Sequence, residues 1–144
     1  MKRIPITRWL SRRPLRRTGT ALVEFAVVAP IFFLMALGII EFGRAMMVQA
    51  LLTNAAQKGA RAGAFDAATS SNVTSAVNAY LAAGGISGAT ATCTPNPPSS
   101  TLPGHDVKVT VTIPYSSVSW LPAPRFLKNK TLSATGLAQR ETGT

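Results

Sequence analysis

The sequence predicts an α+β chain: a long N-terminal transmembrane α-helix continuing as a stem, packed by a short helix and a small three-stranded antiparallel β-meander. Three observations predict it. Between Ala21 and Ile40, 17 of 20 residues are Ala, Val, Ile, Leu, Met or Phe, a composition suited to lipid rather than to a soluble surface. Beyond that run, Val48, Leu52, Ala55, Gly59 and Ala62 recur at steps of four and three, the period of one helix face. Further on, Val107, Val109, Val111 and Ile113 alternate with Lys108, Thr110 and Thr112, the period of a half-buried strand. The expected organisation is a basic leader (1–19), a transmembrane helix (20–41), an extracytoplasmic helical stem (42–65) and a small outer domain (66–144).

The leader carries the charge. Residues 1–19 hold seven basic side chains (Lys2, Arg3, Arg8, Arg12, Arg13, Arg16, Arg17) and no acid, whereas the remaining residues hold eight bases against five acids. A positive cluster beside an apolar run stays on the cytoplasmic side of a membrane. The N-terminus is therefore expected in the cytoplasm and the chain beyond Arg44 outside it. Pro5, Pro14 and Gly19 argue against regular structure in the leader, and Trp9 and Leu10 suit the interface.

The span has an acid at each edge. Phe25–Ile40 is uncharged and bounded by Glu24 and Glu41. Reaching the ~20 residues of a full span requires Thr20 to Glu24 as well. Glu24 then lies within apolar surroundings, at a cost of roughly 2.5–3.5 kcal/mol at a helix centre and less near an end. The residues alone allow it a functional role or a snorkelling one.

Three export readings compete. An ordinary secretory signal would be cut near Ala36–Gly38, but Glu24 and Pro30 interrupt its apolar core. A twin-arginine address is partly spelled by Ser11-Arg12-Arg13-Pro14-Leu15-Arg16, with nothing downstream that suggests a folded cofactor protein. The third reading rests on Arg-Arg-Thr-Gly followed by Thr20-Ala21-Leu22-Val23-Glu24-Phe25 and the apolar helix. This junction resembles the class III signals of type IV pilins and pseudopilins, which implies cutting after Gly19.

The resemblance extends through Ala21–Pro30, Gly38-Ile39-Ile40-Glu41-Phe42-Gly43-Arg44 and Thr53–Arg61. Together these segments resemble the TadE-like family, pseudopilins of the Tad (tight adherence, Flp pilus) machinery. The likeness is strong over about 18–62 and resumes weakly at Ala138-Gln139-Arg140-Glu141. It implies a minor pseudopilin, or assembly subunit, of a Tad (Flp, type IVc) pilus or related secretion system. The implied location is the bacterial inner membrane, single-pass, with incorporation into a surface pilus. The implied partners are a prepilin peptidase, other pilin or pseudopilin subunits, the Tad inner-membrane machinery and membrane lipid. The alternative is an uncleaved membrane-anchored scaffold or binding protein.

Chemistry gives these positions their sense. Gly19 has no Cβ, so a protease can approach the backbone there. Cutting would free the amine of Thr20, one helical turn from the Glu24 carboxylate. The spacing permits an ammonium–carboxylate pair within one subunit or between neighbours; that Glu24 and Phe25 serve assembly is what the resemblance implies. Pro30 removes a helix donor and is expected to kink the helix near Ala26–Pro30; a packing bend and a tolerated membrane proline both stand open. Gly38 and Gly43 read equally as packing notches or as ordinary membrane glycines. Glu41, Phe42 and Arg44 mark the membrane exit. Glu41 and Arg44 lie three residues apart, and the expectation is a solvated exit with a weak surface ion pair.

The stem continues to about Ala64. One helix over 20–64 would run roughly 68 Å at 1.5 Å per residue. Its stripe of small residues favours close packing against the chain's own outer domain over dimerisation through Gly59-x3-Gly63. In the outer domain, Ser70-Ser71-Asn72 supply caps for a helix from about Val73 to Ala83, closed by Gly84-Gly85 and apolar at Val73, Val77, Tyr80 and Leu81. Thr90–Thr94 suggests a short strand and Pro95–Ser100 a loop. Asp106–Tyr115 is the clearest strand; Pro114 ends its ladder or places it at an edge. Residues 117–130, with Trp120, Pro122, Pro124 and Phe126, read as an irregular excursion. Thr131–Arg140 makes the last strand, with alternation broken at Leu137. The domain holds few large apolar residues, so the stem is the natural partner for its sheet.

Catalysis finds no support. One histidine and one cysteine leave no triad, disulfide framework or multi-cysteine metal site. No catalytic residue, cofactor, metal, small-molecule substrate or nucleic acid is expected. Cys93 reads as a small hydrophobe and His105 as solvated. Arg125, Lys128 and Lys130 beside Trp120 and Phe126 could form an exposed contact patch or an anionic-surface motif; the favoured reading is a loop whose aromatics tuck into the sheet. Asn72-Val73-Thr74 matches a glycosylation acceptor by spelling alone.

Overall fold

The computed structural model describes residues 18–120, 127 and 129–140. The leader up to Arg17, the loop residues Leu121, Pro122, Pro124, Arg125, Phe126 and Lys128, and Glu141 lie outside them. The elements run α1 (Thr18–Ala64), α2 (Ser70–Ala83), β1 (Thr90–Thr94), β2 (Asp106–Pro114) and β3 (Thr131–Gln139), with 3-10 turns at Pro98–Ser100 and Tyr115–Ser117. This is the α+β arrangement that the periodicities predict.

Internal contacts divide the chain into two units, Met1–Ala36 and Leu37–Thr144. In the first, α1 presents Leu22, Val23, Phe25, Val27, Val28, Ile31, Phe32 and Phe33 to its surroundings. Apolar side chains that cover nothing of their own protein belong in an apolar medium. The helix is long and apolar enough to cross a membrane, and it runs on through Pro30.

The second unit holds the core. Val48, Leu52, Ala55, Ala56 and Ala60 of α1, Val73, Val77 and Leu81 of α2, and Val107, Val109, Val111 and Ile113 of β2 form one buried cluster. The three strands make an antiparallel meander in the order β1-β2-β3. β2 is thus central, so Pro114 sits at the last rung of its ladder, opposite Thr131, and not at an edge. The broken alternation of β3 has a steric cause. Its inward positions are Leu132, Ala134, Gly136 and Ala138, so Leu137 falls on the outer face, paired with Lys108. Gly136 must be small because α1 lies against it: a Cβ there would meet the Ala56 carbonyl and stand 2.6 Å from the Gln57 nitrogen.

The start of α2 corrects the expected caps. The helix opens at Ser70 with Thr69 as its N-cap. Asn72 N–H donates to Thr69 Oγ1 at 3.3 Å and Thr69 N–H to Asn72 Oδ1 at 2.9 Å. This reciprocal box requires partners three residues apart, a spacing that Thr69 and Asn72 meet. Ser70 and Ser71 are therefore helical rather than capping. At the other end the Gly84 N–H reaches the Leu81 and Tyr80 carbonyls, and Gly85 takes φ 71°, a conformation that favours glycine.

Candidate functional site

Two places carry the residues singled out by sequence. The first is the N-terminal junction. Gly19 and Thr20 lie in the opening turn of α1, and a Cβ at Gly19 would meet nothing within 4 Å. Among the described residues nothing therefore packs so closely that it requires glycine there. Thr20, Glu24 and Phe25 are exposed, and the helix spacing keeps Thr20 and Glu24 on one face. Pro30 is exposed too.

The second place is the end of the apolar run, and here the structure departs from expectation. Glu41 and Arg44 are not a solvated surface pair. Glu41 is 2% exposed and Arg44 9%. Arg44 Nε donates to the Val118 carbonyl at 3.0 Å, its Nη1 reaches Met47 Sδ at 3.6 Å, and its guanidinium lies 4.7 Å from the centre of the Trp120 ring. Among the described residues the ion pair is Arg140 with Asp66, at 2.6 Å, and not Arg44 with Glu41. The reason is the face: Glu41, Arg44, Ala45 and Val48 lie on the side of α1 covered by the outer domain, while Phe42, Met46 and Met47 point away from it.

Tyr115 completes this cluster. It follows Pro114 at the end of β2, is fully buried, and donates its hydroxyl to the Glu41 carbonyl at 2.8 Å. Burial pushes the Tyr115 hydroxyl above its ordinary pKa, and the nearby Glu41 charge pushes the same way. Among the described residues, one oxygen of Glu41, Oε1, is buried without a hydrogen-bond partner. Beside it, Gly38, Phe42 and Leu127 line a groove of about 190 Å³ that is almost wholly apolar. Sequence reasoning missed Tyr115 and Val118 in this role. The signal available was an aromatic with a polar tip placed directly after a strand-ending proline.

The stem residues fall as a face. Val48, Leu52, Ala55 and Gly59 are buried, and Ala62 stands half-buried at the margin, where Gly63 and Ala64 take over. Gly59 and Gly63 lie against Val77, Val109, Val73 and Val107 of the outer domain. The pair thus serves packing within the chain.

The remaining candidates resolve locally. Cys93 is half-buried against the core, contacts the Pro95 carbonyl at 3.1 Å, and has its thiol pKa raised by burial. His105 is exposed. Asn72 is engaged at the α2 cap and Val73 is buried. Against the favoured reading, Trp120 does not tuck into the sheet: it is 66% exposed and its ring is held by the Arg44 guanidinium instead. Arg140, whose likeness was weak, ties the end of β3 to Asp66 and to the Ser99 and Thr101 carbonyls. Among the described residues no cluster of three His, Cys, Asp or Glu offers a metal site.

Comparison with known proteins bears on one part of the chain. Residues 19–61 match the family of TadE-like proteins. Neither the curated proteins nor the solved structures give a match.

Proposed function

We propose that this TadE-like protein is a noncatalytic assembly subunit, a minor pseudopilin of a Tad pilus or related secretion system, processed after Gly19. The match over 19–61 carries the proposal, because it begins at the candidate cleavage residue and runs through both the apolar helix and the buried stem. A Tad-related membrane protein is the coarser statement that the match and the apolar helix support together. In the finer reading the seven leader charges hold the N-terminus in the cytoplasm. A prepilin peptidase removes residues 1–19. The new Thr20 amine, in a helix whose large side chains face lipid, finds its counter-charge in Glu24 of the same or a neighbouring subunit. Other pilin-like subunits and the inner-membrane machinery are the partners, and the outer domain is presented outside the cytoplasm.

The openness around Gly19 makes the test clean. Among the described residues a Cβ at Gly19 meets nothing within 4 Å, so an effect of Gly19→Val on processing is expected to report the protease. The mature protein is expected to begin at Thr20 by mass spectrometry, and Gly19→Val to accumulate as precursor. A chain that begins at Met1 in its native host would leave the uncleaved scaffold as the reading. Cutting of Gly19→Val at the normal rate would remove the peptidase from the scheme.

A further inference from the structure

We propose that Trp120 docks the membrane-side end of the outer domain into the headgroup region of the lipid bilayer, so that the partner of this surface is the extracytoplasmic leaflet. The inference rests on the membrane-spanning reading of α1, a reading that leaves the Trp120 patch without a role. Trp120 comes from the segment that follows β2 and the Tyr115–Ser117 turn, yet its ring lies at α1. The Arg44 guanidinium stands 4.7 Å from the ring centre, and Arg44 Nε donates to the carbonyl of Val118, two residues earlier, at 3.0 Å. Arg44 is buried, whereas Trp120 remains 66% exposed. A large aromatic that is held in place and left open is a surface suited to contact.

Position along α1 decides what meets the ring. The uncharged run Phe25–Ile40 is closed by Glu41, so hydrocarbon gives way to headgroups at this level. Arg44 lies four residues beyond Ile40, about 6 Å along the axis at 1.5 Å per residue. The ring beside it therefore stands just outside the hydrocarbon. That is the zone where tryptophan is enriched, because its ring prefers an apolar setting and its N–H a wet one. Neighbouring side chains agree. Ile39, Ile40 and Phe42 are exposed, so apolar surface continues from the run to the level of Trp120. Leu127 reaches deeper and shares a groove with Gly38 and Phe42. Residues 42 and 44 do not share a helix face, so Trp120 and Leu127 meet α1 on different sides and approach the leaflet at two places. Cation–π attraction also strengthens as the pair leaves water. A soluble partner is a poorer occupant, because headgroups already fill the space at this depth.

The chain has two tryptophans, Trp9 and Trp120, so Trp9→Phe makes Trp120 the sole indole reporter. The test reconstitutes this full chain in phosphatidylcholine vesicles that carry lipids brominated either near the headgroup or near the bilayer centre. Trp120 emission is expected to lie to the blue, to lose most of its intensity with the shallow bromines, and to lose less with the deep ones. Iodide in the buffer is expected to quench it weakly. Red-shifted emission that iodide quenches and brominated lipid does not would overturn the proposal in favour of a solvated ring. Shielding from both quenchers would overturn it in favour of cover by protein, the chain's own loop or a second copy. Stronger quenching by the deep bromines than by the shallow ones would overturn the placement among headgroups. The reading needs no substitution at Trp120 or Arg44, so it does not depend on a destabilised variant. Carbonate-resistant flotation of the same vesicles reports the membrane span separately. Its failure would remove the span and the contact together, whereas firm flotation without quenching by lipid would remove only the contact.

Discussion

The two parts of α1 use apolar residues in opposite ways. From Leu22 to Ile40 the helix carries large side chains, and these are exposed. From Ala45 to Ala64 its buried face is mostly Ala, Gly and Val, with Leu52 as the large exception. The hydrophobic effect rewards removal of apolar area from water, whatever replaces the water. In the first part lipid is the expected replacement, and bulk presents no difficulty. In the second the replacement is another segment of the same chain, and close approach is limited by the nearest Cβ. Hydropathy alone ranks the first part as the more core-like, and it is the second that forms the core.

The sharpest way to break this comparison is at Gly136. A Cβ there would run into the backbone of Ala56 and Gln57, which cannot swing aside as a side chain can. Gly136→Ala is expected to cost about 3 kcal/mol or more. The outer domain of the full chain in detergent should lose its protease resistance, while insertion of the apolar segment persists. A melting profile equal to that of the parent would show that sheet and stem are less tightly apposed than described.

A paired substitution within α1 sharpens the contrast through its sign. At Gly59 an added Cβ would stand 2.6 Å from Val77 Cγ2 and 3.2 Å from Val109 Cγ1, whereas at Gly43 it meets nothing within 4 Å. Gly59→Ala is expected to destabilise by about 1–3 kcal/mol through overpacking. Gly43→Ala is expected to stabilise by up to about 1 kcal/mol through helix propensity. Denaturant or thermal midpoints of the two variants should bracket the parent. The same sign for both would mean that backbone preference, and not packing, governs glycine in the stem.

The smallest expected effect lies at the far end of the stem. Asp66 is held below the ordinary carboxylate pKa, first by the Arg140 hydrogen bond, then by its charge and by the Ala67 N–H. A carboxyl depressed in the folded state stabilises above its unfolded pKa of about 3.9. That contribution is lost as the pH falls through the lower folded value. Asp66 is 82% exposed, so solvent and salt screen the pair and the effect is small. Asp66→Asn should slightly reduce the midpoint at pH 6 and leave it unchanged near pH 2, with the difference shrinking in high salt. An equal loss at both pH values would assign Asp66 a role through its turn geometry.

Much of the architecture was legible because it rests on local rules. The apolar run, the small-residue stripe and the Val107–Ile113 alternation each specify an element and a face by period alone. Gly84-Gly85 ended α2 as a left-handed glycine can. The start of α2 was misplaced because several residues from Thr69 to Asn72 can cap, and only the box geometry selects between them. The exit cluster was misjudged for a different reason. A Glu and an Arg three residues apart suggest a surface pair when the helix is taken alone.

The sequence by itself determined the order and type of the helices and strands, which helical segment is long and apolar enough to cross a membrane, and that the outer domain needed the stem to complete its core. These follow from periodicity, residue size and charge, all carried by neighbours in the chain. Only the tertiary structure decided that Glu41 and Arg44 face inward, that Tyr115 and Val118 meet them from 74 residues away, and that Gly136 rather than a larger residue must face Ala56. Such contacts depend on which face of one element meets which position of another. That choice is made by packing across long separations, where no local period carries the information.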